Sequence, residues 1–430
     1  MGLIADCLTL GSLSRAKRQF DREKHEHRLT YLFWEATLGC NLACRHCGSR
    51  CSPAAARDCD LPGGEVKRIF REIAEDFGAA GITIAVTGGE PLTRGDLFEV
   101  MSEAHRLGFY WGMVTNGTLI TSQTIDQMAR AGMNTVSVSI DGDARAHALL
   151  RGSRRAYEQA MRGLRLLIHK ARFLECVQVT TVVHSGNVDM LEEMYDRFAG
   201  MAVGEWRLLM VDPIGRMKDP ANRELLLSRE QMAKMLDFVV RERQIGGMPV
   251  TFEESGFLGL KYEGRVRDYY FHCPAGVHIG SILHDGKIGA CPSLERHMVE
   301  GDARTERFRT VWNTRFQRYR DRESTYRKGP CAACRYWKYC EGGSLHLWDW
   351  QTQQPRMCHY RMLKGRDLGQ WSDQESYRDG QVRRQDDQLD LVDRRSDLRV
   401  GAGGSGPGEG CAAAGVWRGA VPAGRGSAGG

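Results

Sequence analysis

Residues 34–51 read WEATLGCNLACRHCGSRC, and they hold four of the chain's 14 cysteines. Cys40, Cys44 and Cys47 form a C-x3-C-x2-C array. Thiolates this close on a loop can ligate one metal centre. Four protein thiolates close such a site, whereas three leave a position for an outside ligand. The spacing suits an iron–sulfur cube held at three corners. It equally admits zinc with Cys51 as the fourth ligand, and the array by itself leaves both open.

Outward from this loop, strand-like and helix-like runs alternate. Strands are predicted at 31–37, 82–87, 110–115, 135–140, 177–183 and 206–211. Helical periodicity falls between them at 64–78, 96–107 (with Asp96 as N-cap), 122–131, 155–170 and 189–198. Six βα units in series predict parallel strands and an α/β fold, a partial (β/α)6 TIM-like barrel. The expected divisions are a 1–28 extension, a 29–215 barrel, a 216–268 linking region, a small cysteine-rich domain at 269–365, and a polar then Gly/Ala-rich disordered tail at 366–430. Within the cysteine-rich domain a hairpin is expected to turn at Asp285-Gly286.

In parallel α/β folds ligands gather at the carboxyl ends of strands. Here Cys40 follows the first strand, Gly88-Gly89-Glu90-Pro91 the second and Asn116-Gly117 the third, while Ser139 and Asp141 close the fourth. One rim therefore collects chemistry from four successive strands.

Composition narrows the class. Net charge is +6 from 60 basic and 54 acidic residues, a balance too even to argue for a nucleic-acid partner. The basic run at 15–28 is interleaved with acids and reads as a solvated helix face. No apolar stretch reaches the roughly 18 residues of a membrane span, and no secretory signal is evident. A cytoplasmic protein is expected, in which 14 cysteines suit metal ligation better than disulfides.

C-x3-C-x2-C after a first strand with GGEP after a second resembles the radical S-adenosylmethionine (SAM) superfamily, over about residues 31–212. The resemblance implies a 4Fe-4S cluster on Cys40, Cys44 and Cys47. SAM would dock on the fourth iron and be cleaved reductively to a 5′-deoxyadenosyl radical that takes hydrogen from the substrate. It implies that Gly88 and Gly89 let the main chain approach the methionine end of SAM. Glu90 would accept from its ammonium group, and Pro91 would set the turn. Ser139 and Asp141 would bond the ribose, Arg151 would pair with the carboxylate, and His46 would stack near the adenine in place of the family's usual aromatic residue. Asn116 joins this cofactor-binding set, although Asn-Gly is also turn chemistry. Cys51 and Cys59 are expected as thiols lining the approach.

A second array comprises Cys273, Cys291, Cys331, Cys334, Cys340 and Cys358. It resembles the SPASM domain, which holds auxiliary iron–sulfur clusters. Cys331, Cys334, Cys340 and Cys358 complete one four-thiolate site by that analogy. The other keeps only Cys273 and Cys291, because Ser344 stands where the pattern has a cysteine. It is left empty, filled by a smaller cluster, or completed by Ser344, His272 or His278. One or two auxiliary clusters are thus implied.

SPASM-type relatives commonly modify peptides or proteins, so a peptide or protein substrate is expected, with a flavodoxin or ferredoxin as electron donor. The alternatives are a non-catalytic iron–sulfur or zinc scaffold and a radical enzyme of small-molecule cofactor biosynthesis. The opening of the radical domain is also similar to a subgroup associated with a small lipoprotein.

Overall fold

The computed structural model describes residues 2–55, 59–253 and 256–365. The expected tail at 366–430 therefore lies outside the described residues. The predicted strands form as β1 (Tyr31–Glu35), β2 (Thr83–Thr87), β3 (Tyr110–Thr115), β4 (Thr135–Ser139), β5 (Cys176–Val183) and β6 (Glu205–Met210). Each is buried on both faces for most of its length, as a helix-covered parallel sheet requires.

The helices that cover them are α2 (Gly63–Phe77), α3 (Leu97–Arg106), α4 (Ser122–Arg130), α5 (Ala144–Arg151), α6 (Ala156–Lys170) and α7 (Leu191–Gly200). They follow α1 (Gly2–Glu26) at the N-terminus. Thr121 caps α4 through the Thr124 amide, and Asp143 caps α5 through two amides. Asp96 occupies the N-cap position of α3 but makes no capping bond. Its carboxylate instead pairs with Arg94 at 2.6 Å, and that guanidinium also donates to the carbonyls of Ala36 and Leu61. An ion pair that ties α3 to the cysteine loop outcompetes the local cap.

The sheet extends further than six strands. The segment expected to link the domains contains α8 (Arg229–Ile245) and β7 (Val250–Phe252), and β7 pairs parallel with β6. At the other edge β8 (Ile279–Ile282), from the cysteine-rich region, pairs parallel with β1. It then turns at Asp285-Gly286 into antiparallel β9 (Lys287–Gly289) and β10 (Gly301–Asp302). The order is β10-β9-β8-β1-β2-β3-β4-β5-β6-β7, with eight adjacent parallel strands.

Trp34, Trp111 and Trp206 are fully buried in one continuous apolar core that reaches from the barrel helices to Trp312, Trp337 and Trp348 of the C-terminal region. Glu35, at the end of β1, is buried and holds Arg296 at 2.6 Å and His284 at 3.0 Å. The C-terminal region is thereby fastened beside the cysteine loop.

α1 is not the merely solvated helix the charge pattern suggests. Leu13 and Phe20 are buried, and Lys24 grips Glu341 at 2.5 Å. One face of α1 thus packs on the C-terminal region. Lys17 and Lys24 read as solvated in the sequence because their shared partner Glu341 lies more than 300 residues away.

Candidate active site

The cysteine loop leaves β1 and lies against the end of β2. Gly89 N donates to Thr37 O at 2.6 Å and Glu90 N to Gly39 O at 3.0 Å. A Cβ on Gly89 would stand 2.6 Å from the Gly39 carbonyl carbon and closer still to its oxygen. The two glycines therefore let the β2 loop reach the cysteine loop, and both also line the cavity beyond it. Pro91 opens a single 3-10 turn (Pro91–Thr93) behind that wall.

Three sulfurs are dressed with donors. Leu42 N donates to Cys40 Sγ at 3.4 Å and Cys51 N to Cys47 Sγ at 3.3 Å. Arg151 Nη1 and Asn116 Nδ2 stand 4.0 Å from the sulfurs of Cys44 and Cys40. Burial pushes the Cys40 thiol up to about 11 and raises Cys44 as well, with Arg151 opposing in the second case. Cys47 goes the other way, held down by a hydrogen bond from the buried Cys51 thiol and by that residue's amide. Amides and a guanidinium aimed at sulfur are what a thiolate-ligated cluster requires, since they offset the charge that three thiolates bring together. His46 adds a buried Nδ1 with no partner. The donor set therefore fits an iron–sulfur cluster with room for a further ligand.

Arg216 was not singled out in the sequence. It donates to the carbonyls of Cys44, Arg50 and Cys51 at 2.9, 3.0 and 2.7 Å and so clamps the loop.

The strand-end residues divide into wall and support. Gly88, Gly89, Asn116, Ser139, Arg151 and His46 line one cavity of ≈ 620 Å³ with the three cysteines. Glu90 and Asp141 are not part of that lining. The Glu90 carboxylate is fully buried and accepts from Thr115 Oγ1, Asn116 N and Leu92 N at 2.7, 2.8 and 3.2 Å. Burial still raises its pKa despite those donors. It ties the β2 loop to the β3 loop.

Asp141 is also fully buried. It accepts from Val182 N at 2.9 Å and from Arg151 Nε at 2.6 Å. Burial would raise its pKa, but Arg151 and then His147 hold the carboxyl well below the usual range. Asp141 thus fixes Arg151, ten residues on, and leaves Nη1 turned toward Cys44.

The wall has components the sequence did not disclose. Asp212, just past β6, meets His346 of the C-terminal region at 2.8 Å, and both line the cavity. The strand-end rule would have found Asp212, but no local signal marks His346. Cys273, Cys291, Ser344, His272 and His278 line this same cavity, as do Gln19, Phe20 and Glu23 of α1. Cys51 lies behind Cys47, also on the wall, whereas Cys59 is exposed and off it.

Cys331, Cys334, Cys340 and Cys358 surround a separate cavity of ≈ 280 Å³, with Phe257, Trp337 and Tyr360. Burial and then the neighbouring thiols push Cys331 up to about 12, and burial raises Cys358 to about 11. Four thiols lining one void are the donor set that a four-thiolate cluster takes. No described helix is long and apolar enough to cross a membrane.

Comparison with known proteins agrees with this architecture. Residues 34–198 match the radical SAM superfamily model, and residues 273–335 match the SPASM model, an iron–sulfur cluster-binding domain. The AdoMet-dependent heme synthase of Oleidesulfovibrio alaskensis is 29% identical, over 72% of this chain and 81% of that protein. The mycofactocin maturase MftC of Mycolicibacterium smegmatis is 28% identical, over 73% and 78%. The crystal structure of Streptococcus suis SuiB bound to its precursor peptide SuiA has a TM-score of 0.58 at 16% identity, covering 76% of this chain and 75% of that one. Its fold is therefore shared. The chain therefore carries a radical SAM domain at 34–198 and a SPASM domain at 273–335, so its cofactors are a 4Fe-4S cluster, SAM and one or two auxiliary iron–sulfur clusters.

Proposed function

We propose that this chain cleaves SAM reductively at a cluster held by Cys40, Cys44 and Cys47, and abstracts hydrogen from a peptide or protein substrate admitted to the ≈ 620 Å³ cavity. When bound, the reduced cluster and SAM supply a 5′-deoxyadenosyl radical, which takes a hydrogen atom from the substrate. The chain binds, orients and excludes water. Gly88 and Gly89 offer main chain to the methionine end of SAM. Arg151, locked by Asp141, offers Nη1 to its carboxylate. Ser139 and Asn116 offer polar contacts, and the ring of His46 offers a face to the adenine. Burial pushes the His46 imidazole down to about 3, so it stacks as a neutral ring. Cys51 supports Cys47 without joining the ligands. A small reducing flavodoxin or ferredoxin supplies the electron, and a reducing compartment such as the cytoplasm suits the cysteines assigned to the clusters. Cys331, Cys334, Cys340 and Cys358 hold an auxiliary cluster.

The observation that carries this reading is that the three-cysteine loop, the Gly-Gly turn and the SPASM wall share one cavity. A substrate placed there touches both halves of the molecule. The peptide class is supported by SuiB, solved with a precursor peptide on the same fold. A second reading, radical chemistry on a heme-related macrocycle, is favoured by the heme synthase relatives.

Anaerobic turnover with SAM, dithionite and deuterated cell fractions separates the two readings. Deuterium in 5′-deoxyadenosine from the peptide and protein fraction supports the first. Deuterium from the tetrapyrrole fraction alone replaces it with the second. No 5′-deoxyadenosine under any condition overturns both.

A further inference from the structure

The SPASM site that lacks a cysteine at Ser344 has a nitrogen donor beside it. His278 ends the turn that leads into β8, five residues after Cys273, and its side chain is only 7% exposed. Its Nδ1 stands 3.4 Å from Glu23 Oε2 of α1, and neither ring nitrogen has a hydrogen-bond partner among the described residues. A carboxylate behind one ring nitrogen with the other left open is the arrangement that orients metal-ligating histidines. A buried imidazole nitrogen left unpaired is otherwise costly.

The elements around it converge. Glu23 reaches His278 while its neighbour Lys24 reaches Glu341 at 2.5 Å, so one turn of α1 spans His278 and the segment leading to Ser344. Ser344 is buried. The Phe20 ring lies tilted against His272 with centroids 3.9 Å apart, and His272 adjoins Cys273. Arg322 Nη2 holds the Cys273 carbonyl at 2.8 Å. Burial raises the phenols of Tyr319 and Tyr326, with Cys291 adding to the first and Cys273 to the second. Cys273 and Cys291 thus each lie within electrostatic reach of one of this tyrosine pair. Cys273, Cys291, His278 and Ser344 all line the one cavity.

We propose that His278 Nε2, oriented by Glu23, replaces the missing thiolate and ligates a second auxiliary iron–sulfur cluster together with Cys273 and Cys291. The inference rests on the radical SAM–SPASM reading above. It gives α1 a task, because the helix that seals the cavity also supports a ligand. A neutral imidazole in place of a thiolate removes negative charge from the cluster, so its reduction potential lies above that of an all-cysteine site.

The test is pulsed EPR on the reconstituted, dithionite-reduced full chain without SAM, so that no nitrogen of SAM contributes. The wild type should show the strong nitrogen coupling of a coordinated imidazole, and ¹⁵N-histidine labelling should alter it. His278→Gln should abolish the coupling and lower the iron content. His278→Cys should keep the iron, lose the coupling and shift the potential downward, which covers the case in which His278→Gln folds poorly. A wild type with no such coupling, or a coupling that survives in either variant, overturns the proposal. Release of 5′-deoxyadenosine by the wild type tests the underlying reading separately. A chain that cleaves SAM but lacks the coupling loses only the His278 ligand.

Discussion

Replacing Gly89 by alanine adds one carbon where the structure has no room. That carbon would lie 2.6 Å from the Gly39 carbonyl carbon, a backbone atom that no rotamer change can move. The β2 loop and the cysteine loop must then part. Separation breaks the bonds from Gly89 N to Thr37 O and from Glu90 N to Gly39 O. Two backbone hydrogen bonds are worth about 2 kcal/mol together. Overpacking that forces a backbone shift adds about 1–3 kcal/mol. The total of about 3–5 kcal/mol depopulates the docked loop by roughly two to nearly four orders of magnitude, since about 1.4 kcal/mol is tenfold. It remains below the usual stability of a whole domain. Gly89→Ala should therefore stay folded, with a lowered Tm, and should lose iron from the cysteine-loop cluster and with it 5′-deoxyadenosine release. Gly64→Ala is the control. No atom lies within 4 Å of that added carbon, and the site is in the first turn of α2, so stability should hold or rise by up to about 1 kcal/mol. Iron content and SAM cleavage at the wild-type level in Gly89→Ala would refute the claim that loop docking builds the site.

Asp141→Asn breaks a buried pair and leaves Arg151 uncompensated, which should cost about 3–5 kcal/mol by thermal melting and weaken SAM binding in equilibrium dialysis. Undiminished SAM affinity would remove Arg151 from the cofactor's carboxylate. Glu90→Gln puts an amide donor where Asn116 N or the Thr115 hydroxyl also donates, at about 1–3 kcal/mol. SAM affinity should fall while iron content holds, and a loss of iron instead would place Glu90 in the cluster's support. Glu35→Gln releases Arg296 and His284, and about 2 kcal/mol is expected because Arg296 is partly exposed. Burial would raise the Glu35 pKa, but His284 and Arg296 outweigh it and hold the carboxyl below its ordinary value. Its stabilisation is therefore complete above the unfolded value of about 4.3 and is lost as pH falls through the lower folded one. The melting difference between wild type and Glu35→Gln should close below about pH 4, and a gap that widened there would reverse the sign.

The sequence made β1 to β6 legible because each is a short apolar run bounded by turn residues, and the rim motifs follow from where those runs end. β7 is three residues with a threonine at its centre, too short for periodicity to mark. The pairing of β8 with β1 joins residues almost 250 positions apart, which no local pattern encodes. The same limit hid α1 in the cavity wall, the Asp212–His346 contact and the Arg216 clamp. It also hid the donors from neighbouring elements that surround the buried carboxylates of Glu90 and Asp141.

The central claim is that the polypeptide leaves one iron of the cysteine-loop cluster open to SAM. EPR of the reduced, reconstituted chain before and after adding SAM tests it most directly. The account predicts a SAM-induced change in the wild-type signal that persists in Cys51→Ala and is absent in Cys44→Ala. A signal indifferent to SAM in the wild type, with Cys51→Ala losing the cluster, would mean that four protein thiolates close the site and would contradict it.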